Sequence, residues 1–416
     1  MKIIINDYAG HPFQVQLSRN LAHRGHEVLH AYCSSVQTPQ ASLIKSHNDP
    51  ETFRIKAISL NMGFDKYGLF SRWKQEKELG DKLSNLVNEF RPDVIISANT
   101  PLRAQACLIR SAKKAGSRFV FWMQDVLGVG IGKALEQRIG RLGFYIGAYM
   151  KKYEKKLLLE SDHIIVITDD FLPYIPDVQN ERGIVTTIEN WAPINEIPVS
   201  EKINDWSVEN ELADKFCFIY SGTLGVKHNP EMLIALAQKT RVYEHVKIVV
   251  ISEGQGADYL NEARKQLSLD NLLIFPFQPF EILPKVLASA DVLLALLEKD
   301  AGTFAVPSKV LTYLCTGKPL LVAIPKENLA ARIIRESGSG VLVDPWDIEA
   351  FTEKALDLMC DEKKRIQFGN NGRRYAEHVF DIEEITDRFE SIILGKPFGK
   401  TCNKKVTTEI YTKTVN

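Results

Sequence analysis

The stretch AGTFAVPSKVLTYLCTGKPLLVA, residues 301–323, places a loop, a helix and a strand in a fixed order. Pro307 suits the first turn of a helix, and the apolar residues after it recur on one helical face. Gly317, followed by a lysine-proline pair, would end that helix. Residues 320–323 form a short apolar run that is typical of a buried parallel strand. This order predicts a loop-helix-strand unit of an α/β domain.

The loop of this unit is also a candidate phosphate site. A helix that begins beneath a loop of small residues presents unpaired backbone N–H groups and the positive end of its dipole. Ser308 and Lys309 add a hydroxyl and a cation there, next to Pro307. The alternative is a structural connection without a ligand, and the other loops of the chain must decide between the two.

Length and composition indicate a two-domain protein that does not bind nucleic acid. The chain has 416 residues, beyond the usual size of a single core, and 45% of them are hydrophobic. Its 52 basic and 52 acidic residues balance, which gives no reason to expect a nucleic-acid partner. The 6 cysteines lie far apart, as in reduced cytoplasmic proteins. We expect neither a signal peptide nor a membrane-spanning segment, because the apolar runs are too short.

Strands and helices alternate in both halves of the chain. This pattern predicts an α/β fold with two doubly wound parallel sheets, one in each domain. The alternation restarts at Phe216 after a proline-containing segment, so we expect domains at residues 1–197 and 213–372. Ligands of such sheets bind at the carboxyl ends of strands, which places the site in the cleft between the domains. Residues 396–416 are polar and aperiodic, which favours a weakly ordered tail.

Three loops after predicted strands of the second half could contact a ligand. They contain Ser221, Gly222, Thr223 and Lys227 after the first strand, Glu253 and Gly254 after the second, and Phe277 and Gln278 after the third. Glycines let a phosphate approach the backbone, Lys227 could meet its charge, and Glu253 could accept hydrogen bonds from hydroxyls. Main-chain amides beside Phe277 could recognise a nucleobase. Each loop alone is more often a turn, but all share one predicted sheet edge with Lys309.

Polar residues of the first half face the same predicted cleft. Gly10 and His11 follow the first strand, and Asp125 follows a later one. We interpret these residues as the acceptor side of the site. The glycines in residues 128–132 have the spacing G-x-G-x-G, which differs from a dinucleotide-binding fingerprint. The chain has no D-x-D sequence and no Cys/His cluster, so no metal site is predicted.

The segment from Lys133 to Leu159 combines lysines and arginines with aromatic residues, and only two glutamates oppose them. A basic helix of this composition can lie on an anionic membrane surface. The alternative is a solvated helix pair that packs on its own domain. The sequence leaves both interpretations open.

Several short motifs, taken in order, resemble GT-B glycosyltransferases of family 4, also called group 1. The resemblance is carried by residues 9–11 (AGH), 24–28 (RGHEV), 188–191 (IENW), 221–225 (SGTLG), 253–254 (EG), 307–309 (PSK) and 317–319 (GKP). It spans about residues 1–395. The similarity is to bacterial enzymes of O-antigen and exopolysaccharide synthesis, including N-acetylfucosamine transferase-like proteins.

The resemblance implies a retaining, metal-independent glycosyltransferase that needs no cofactor. The donor would be a nucleoside-diphosphate sugar, with UDP as the first choice, and the sugar a hexose or an N-acetylamino sugar. The acceptor would be a glycan or a polyprenyl-diphosphate-linked saccharide. The first domain would bind the acceptor, the second the donor, and residues 373–395 would return to the first domain. Such a protein is expected in the cytoplasm, with peripheral membrane attachment if residues 133–159 bind lipid.

The resemblance also implies roles for individual residues. Lys227, Lys309, Asp125 and His11 would be catalytic, and Pro307, Ser308 and Thr312 would join the loops of the second half in binding the donor. Many relatives carry two glutamates with seven residues between them where this chain has Phe304 and Thr312, and an arginine where it has Thr223. The missing glutamate at Thr312 keeps open a glycan-binding scaffold without activity. A sugar-nucleotide epimerase or phosphorylase of the same architecture is a further alternative.

Overall fold

The computed structural model describes residues 1–36, 40–61, 69–225, 228–297 and 306–396. The predictions for Lys227, for Phe304 and for the tail beyond residue 396 fall outside these ranges.

The first half of the chain forms seven strands with helices between them. In chain order these are β1 (Lys2–Asp7), α1 (Pro12–His23), β2 (Glu27–Cys33), β3 (Phe53–Ile58), α2 (Leu69–Phe90), β4 (Val94–Ala98), α3 (Leu102–Ala115), β5 (Arg118–Met123), α4 (Leu127–Leu159), β6 (His163–Val166), a 3-10 helix (Asp169–Tyr174), α5 (Asp177–Glu181) and β7 (Val185–Thr187). The strands form one parallel sheet in the order β3-β2-β1-β4-β5-β6-β7.

The second half forms six strands and the remaining helices. They are α6 (Asp205–Glu209), β8 (Phe216–Ser221), α7 (Glu231–Thr240), β9 (Val246–Ile251), α8 (Gln255–Leu267), β10 (Leu272–Phe275), α9 (Leu283–Ala288), β11 (Val292–Leu296), α10 (Lys309–Leu314), β12 (Leu320–Ala323), α11 (Leu329–Ser337), β13 (Gly340–Val343), α12 (Ile348–Cys360), α13 (Glu362–Val379) and α14 (Ile382–Ile393). The sheet order is β10-β9-β8-β11-β12-β13, again all parallel. The prediction of two doubly wound parallel sheets is confirmed.

Each sheet has a point where the strand order reverses, and these points position the site. In the first sheet it lies between β1 and β4, and in the second between β8 and β11. Connections leave such neighbouring strands toward opposite faces, so a crevice opens at their carboxyl ends. The central strands are covered on both faces, which is why Ile3, Ile4 and Ile5 of β1 are all fully buried.

The described part of the opening stretch, residues 306–323, folds nearly as predicted. The helix α10 begins at Lys309, two residues later than Pro307 suggests, and Gly317 adopts φ +70° after its end. Leu320 to Ala323 form β12, as expected. Positive φ is costly for residues with a Cβ atom, so glycine suits this turn.

The last helix, α14, packs on elements of the first sheet. The ring of Phe389 lies 4.8 Å from Trp122 and 6.0 Å from Trp191, measured between ring centroids. The Asn20 amide of α1 donates a hydrogen bond of 2.9 Å to Thr386. The domain boundaries at residues 197, 213 and 372 stay a prediction.

The long helix α4 is a hairpin of two helices. Its backbone leaves the helical region at Ile139 (φ −133°, ψ 19°) and Gly140 (φ +57°, ψ −133°). The two arms approach closely, because a Cβ atom on Gly147 would lie 2.6 Å from the Cα atom of Gly132. Among the described residues, no helix is long and apolar enough to cross a membrane.

Candidate active site

A cavity of about 370 Å³ lies between the two sheets, at the crevices described above. Its walls combine residues of both halves: His11, Pro12, Phe13, Gln40, Trp191, Ala192, Pro193, Ile197, Ser221, Gly222, Thr223, His228, Phe280, Leu283, Leu287, Leu297, Val306, Pro307, Ser308, Lys309, Thr312 and Tyr313. A predominantly apolar wall with a few polar groups is typical of a small-molecule site.

Lys309 is the outstanding polar residue of this cavity. Its stem is partly exposed, but its Nζ atom is buried and has no hydrogen-bond partner in the part of the chain that the structure describes. The Nζ atom lies 3.6 Å from the ring centroid of Tyr220. Burial lowers the pKa of Lys309 well below its usual range. An amine in this state would be stabilised by an anion bound beside it.

The loop after β8 faces Lys309 through Gly222. Gly222 has φ +125°, and a Cβ atom there would lie 3.3 Å from both the Cε and Nζ atoms of the lysine. A side chain at this position would be strained by the positive φ and would crowd the lysine, so glycine suits it. Two tyrosines fix this loop. The Tyr313 hydroxyl accepts a hydrogen bond from the Ser221 N–H (2.8 Å), and the Tyr220 hydroxyl donates to the Thr223 carbonyl (2.8 Å).

On the opposite wall, His11 is held by Asp7 at the end of β1. The Nδ1 atom of His11 lies 3.0 Å from Oδ1 of Asp7. Burial lowers the pKa of His11, but the charges of Asp7 and Asp125 and the hydrogen bond to Asp7 outweigh burial, so the net shift is upward. His11 and Lys309 thus bring two titratable groups with opposite shifts to one cavity.

Asp125 lies in the loop after β5, and its charge acts on His11. Burial raises the pKa of Asp125 to about 6, although the charge of His11 and a hydrogen bond from Asn99 act in the opposite direction. Glu154 of α4 lies near Asp125, is 4% exposed and accepts a hydrogen bond of 3.0 Å from the Gly128 N–H. Burial raises its pKa to about 7. The charges of Asp7 and Asp125 thus act on His11, and Glu154 lies next to Asp125.

The structure brings only part of the predicted site together. Ser221, Gly222, Thr223, Pro307, Ser308, Lys309, Thr312 and His11 line the cavity. The other described candidates, Gly10, Asp125, Glu253, Gly254, Phe277 and Gln278, do not line it.

Glu253 and Phe277 contact each other instead. The Phe277 N–H donates a hydrogen bond of 3.0 Å to Glu253 Oε1. Gln278 accepts a hydrogen bond of 3.3 Å from the Trp206 indole. The first contact ties the loops after β9 and β10 to one another, and the second ties the loop after β10 to α6. Their proposed roles in donor binding stay predictions.

Sequence reasoning missed Asp7, Tyr313 and Glu154. Asp7 ends a buried strand just before a glycine-containing turn, a position where an aspartate often binds backbone N–H groups, and that signal was available. Tyr313 reads as an ordinary apolar-face residue of a helix. Glu154 stands in a basic segment, and nothing in the sequence indicates that this glutamate is buried. In the described part of the chain, no group of three or more His, Cys, Asp or Glu residues could hold a metal ion.

Two doubly wound parallel sheets with a cavity between their reversal points define the class: an α/β fold of the GT-B type. Comparisons with known proteins agree with this fold class. Residues 202–375 match the family described as glycosyl transferases group 1. Over 320 residues the chain is 25% identical to a protein of Escherichia coli (strain K12) described as a colanic acid biosynthesis glycosyl transferase, WcaI, covering 74% of this chain and 75% of WcaI.

Solved structures share the fold. Sucrose-phosphate synthase from Thermosynechococcus elongatus superposes with a TM-score of 0.71 at 16% identity, covering 95% of this chain and 98% of that one. The HepE protein of Anabaena, in complex with UDP and glucose, superposes with a TM-score of 0.68 at 14% identity, covering 95% and 100%. Residues 202–375 thus match the group 1 glycosyl transferases, the chain is a distant homologue of WcaI, and its fold is of the GT-B type.

Proposed function

We propose that this protein transfers a sugar from a UDP-linked donor to a glycan or lipid-linked saccharide acceptor during surface polysaccharide synthesis. The observation that carries the proposal is the buried Nζ atom of Lys309, which has no hydrogen-bond partner among the described residues and lies beside Gly222 in the cavity between the sheets. The donor diphosphate would bind there, between the lysine and the loop after β8.

The chemistry of the leaving group explains why a lysine is suited to this place. Departure of a nucleoside diphosphate builds negative charge on its oxygens, and a preorganised cation stabilises that charge most in the transition state. Ser308 and Thr312 line the same wall and offer hydroxyls to the diphosphate or the ribose. Lys227, which lies outside the described residues, would add a second cation.

The choice of UDP rests on similarity to structural neighbours. HepE is in complex with UDP and glucose in one structure and with UDP-glucose in another. WcaI supports the polysaccharide context, because its description places it in colanic acid biosynthesis. Retention of the anomeric configuration and independence of metal follow from the family resemblance. Proton NMR of the product linkage, and assays with and without EDTA, test these two points.

The acceptor side fits a substrate delivered from a membrane. The hairpin α4 exposes Leu142, Phe144, Tyr145 and Tyr149 together with lysines on its second arm. Aromatic side chains and lysines on one helical surface suit the headgroup region of an anionic bilayer. We therefore place the protein at the inner face of the cytoplasmic membrane, where a polyprenyl-linked acceptor would be available.

Calorimetric titration with UDP and GDP tests the donor site directly. We expect wild type to bind UDP and to take up protons on binding, because a bound anion returns the lowered pKa of Lys309 toward its usual value. Titrations in buffers of different ionisation enthalpy measure this uptake. Lys309→Met should weaken binding and abolish the uptake.

Lys318→Met is the matched control. Burial also lowers the pKa of Lys318, but this lysine lies beyond the far end of α10 and does not line the cavity. Equal UDP binding by wild type and Lys309→Met would contradict the donor site. Absence of binding to either nucleotide at millimolar concentration would favour a scaffold protein.

A further inference from the structure

Trp73 of α2 and Arg103 of α3 form a fixed pair on the surface of the first half. The guanidinium carbon of Arg103 lies 3.7 Å from the ring centroid of Trp73, and its Nη1 atom donates a hydrogen bond of 3.1 Å to the Trp73 carbonyl. Trp73 is 54% exposed. No hydrogen bond joins the remaining N–H groups of the guanidinium to a residue in the described ranges. The pair therefore presents an oriented cation beside an exposed aromatic ring.

This pair lies at the edge of the first sheet that faces the cavity. Arg103 belongs to the first turn of α3, which follows β4, one of the two strands at the reversal point. In the loop between them, Asn99 donates a hydrogen bond to Asp125, whose charge acts on His11 in the cavity wall. A molecule bound to Arg103 would thus lie beside the first half's wall of the cavity.

The charge around the pair is positive. Glu76 of α2 accepts a hydrogen bond from the backbone N–H of Arg103 and lies 3.8 Å from the Nε atom of Arg72. The charges of both arginines act on this carboxylate. Two arginines against one carboxylate leave an excess of positive charge, which suits an anionic ligand.

A row of tyrosines leads from this pair along the second arm of the hairpin α4. Tyr145, Tyr149 and Tyr153 recur at every fourth residue, and the rings of Tyr149 and Tyr153 stack with centroids 6.0 Å apart. α3 packs against α4, and the charge of Arg103 acts on Tyr153. Tyr145 and Tyr149 are exposed. These five residues, Trp73, Arg103, Tyr153, Tyr149 and Tyr145, form a surface that we call the arginine-tyrosine strip.

We infer that the arginine-tyrosine strip binds a polyprenyl-diphosphate-linked acceptor, with the diphosphate at Arg103 and the hydrocarbon chain along the tyrosines. This inference rests on the proposed function, because it gives a place to the lipid-linked acceptor named there. A guanidinium matches phosphate oxygens in pairs, and tyrosine rings offer an amphipathic surface to the chain. The saccharide attached to the diphosphate would extend toward the cavity.

The height of the strip fits a bilayer surface. Glu154 accepts a hydrogen bond from Gly128 in the first turn of α4, so the adjacent Tyr153 lies near the carboxyl edge of the sheet, as Arg103 does. Tyr145 lies eight residues earlier, which is about 12 Å along the helix. Amphipathic helices insert about 5–10 Å into a bilayer. An upright arm inserted to that depth at Tyr145 would hold Arg103 about 2–7 Å outside the bilayer, where a lipid diphosphate is accessible.

Sedimentation with phosphatidylcholine vesicles tests the strip without a donor. One set of vesicles contains undecaprenyl diphosphate, and the other contains phosphatidylglycerol at the same total charge. We expect the full-length wild type to bind the first set about 10- to 150-fold more tightly, the effect of one charge-assisted hydrogen bond. Arg103→Gln should remove this preference and keep binding to phosphatidylglycerol, which depends on the lysines of the hairpin.

Arg54→Gln is the matched control for this measurement. The Arg54 side chain is 61% exposed on β3, three strands away from β4 in the sheet. This variant removes the same charge and should keep the preference for undecaprenyl diphosphate. Equal binding of wild type to both sets of vesicles would overturn the inference, because the strip would then recognise anionic phospholipid in general. Equal loss of the preference in Arg54→Gln and Arg103→Gln would overturn it as well.

Kinetics test the strip in turnover, with UDP-glucose as the first donor. With a diphosphate-linked lipid saccharide as acceptor, Arg103→Gln should raise the acceptor KM about 10- to 150-fold and leave kcat nearly unchanged, because the arginine binds ground state and transition state alike. With the same saccharide free of lipid and diphosphate, variant and wild type should have equal KM. Trp73→Ala should raise the lipid-acceptor KM by a smaller factor, since the cation stays but loses the ring that orients it.

The two ways of failing are distinguishable. If Arg103→Gln does not fold, as judged by circular dichroism, the variant of the exposed Trp73 decides. An active enzyme whose folded variants keep the wild-type KM for the lipid acceptor would overturn the inference alone. A wild type that neither binds UDP nor releases it from any sugar nucleotide would overturn the proposed function and, with it, the role of the strip in transfer.

Discussion

The Nζ atom of Lys309 lies 3.6 Å from the ring centroid of Tyr220 and has no hydrogen-bond partner among the described residues. An aromatic face attracts a cation, but it does not replace the hydrogen bonds that a buried amine loses with its water. Without a ligand, the protein therefore holds a poorly satisfied group at the wall of its cavity. Such a group destabilises the fold and is suited to bind an anion.

The first prediction concerns catalysis by Lys309→Ala. Loss of one charge-assisted hydrogen bond costs about 1.5–3 kcal/mol, so kcat/KM should fall about 10- to 150-fold. kcat should fall as well as affinity, because the charge on the diphosphate is greatest in the transition state. Steady-state release of UDP from the donor measures both. Unchanged turnover together with unchanged inhibition by UDP would show that the loop is only a structural connection.

The second prediction is that Lys309→Met stabilises the ligand-free protein. An unsatisfied buried polar group costs about 1–3 kcal/mol, and methionine fills a similar volume without charge. The thermal midpoint should rise in the variant while UDP binding falls. Differential scanning calorimetry measures the change, with Lys318→Met as the control.

The pH dependence of this gain has a defined sign. The folded-state pKa of Lys309 lies below its unfolded value, so the unfolded chain binds more protons between the two pKa values. The free energy of unfolding of wild type therefore rises with pH through that window. The advantage of the methionine variant should be largest below the lowered pKa and should shrink as the pH approaches about 10.4. An advantage that grows with pH would contradict the assignment.

The central strands were predictable because they are buried on both faces. β1, β5 and β12 read as continuous apolar runs, which is the pattern of a strand covered by helices on each side. The edge strand β3 (FRIKAI) and the short β7 (VTT) carry polar residues, so the same rule does not find them. A lone short strand next to a loop gives too weak a periodicity to recognise.

The site was predictable to the extent that the topology determines it. Gly222 and Lys309 follow β8 and β11, the strands at the reversal of the second sheet, and the structure brings them together. Glu253 and Phe277 follow β9 and β10, one and two strands away from β8 on the side opposite β11, which explains why they bind each other rather than line the cavity. The link between Asp7 and His11 depends on side-chain geometry within a turn, which sequence spacing does not specify.

The third prediction concerns the anchoring of α14. Phe389 is fully buried and contacts two rings of the first half of the chain, those of Trp122 and Trp191. Removal of a buried phenylalanine ring costs about 3–5 kcal/mol, so Phe389→Ala should lower the free energy of unfolding by that amount. Chemical denaturation measures it. Phe144→Ala is the control, because Phe144 is 57% exposed and should change stability by less than about 0.5 kcal/mol. Equal stability of the two variants would show that α14 is not held by this cluster.

The fourth prediction is that the hairpin α4 binds anionic membranes. Tyr145 is 70% exposed and Phe144 57%, and the two rings lie 5.7 Å apart next to the turn at Gly140. The two arms pack closely at Gly132 and Gly147, and the exposed rings and the lysines lie on the same arm, the second. Exposed aromatic rings beside lysines are costly in water alone and favourable at a headgroup layer.

Sedimentation with vesicles that contain anionic lipid measures this binding. Each lysine near such a surface contributes about 1 kcal/mol, so removal of four should shift most of the protein to the supernatant. We expect this loss for alanine substitution of four lysines of the second arm, Lys151, Lys152, Lys155 and Lys156. The matched control removes the same charge from four exposed lysines of the second half, Lys239, Lys265, Lys326 and Lys363, and should leave binding unchanged. High salt should release the wild type, because screening weakens attraction to the surface. Equal loss in both quadruple variants would indicate an unspecific charge effect, and equal retention would show that the hairpin is a solvated part of its own domain.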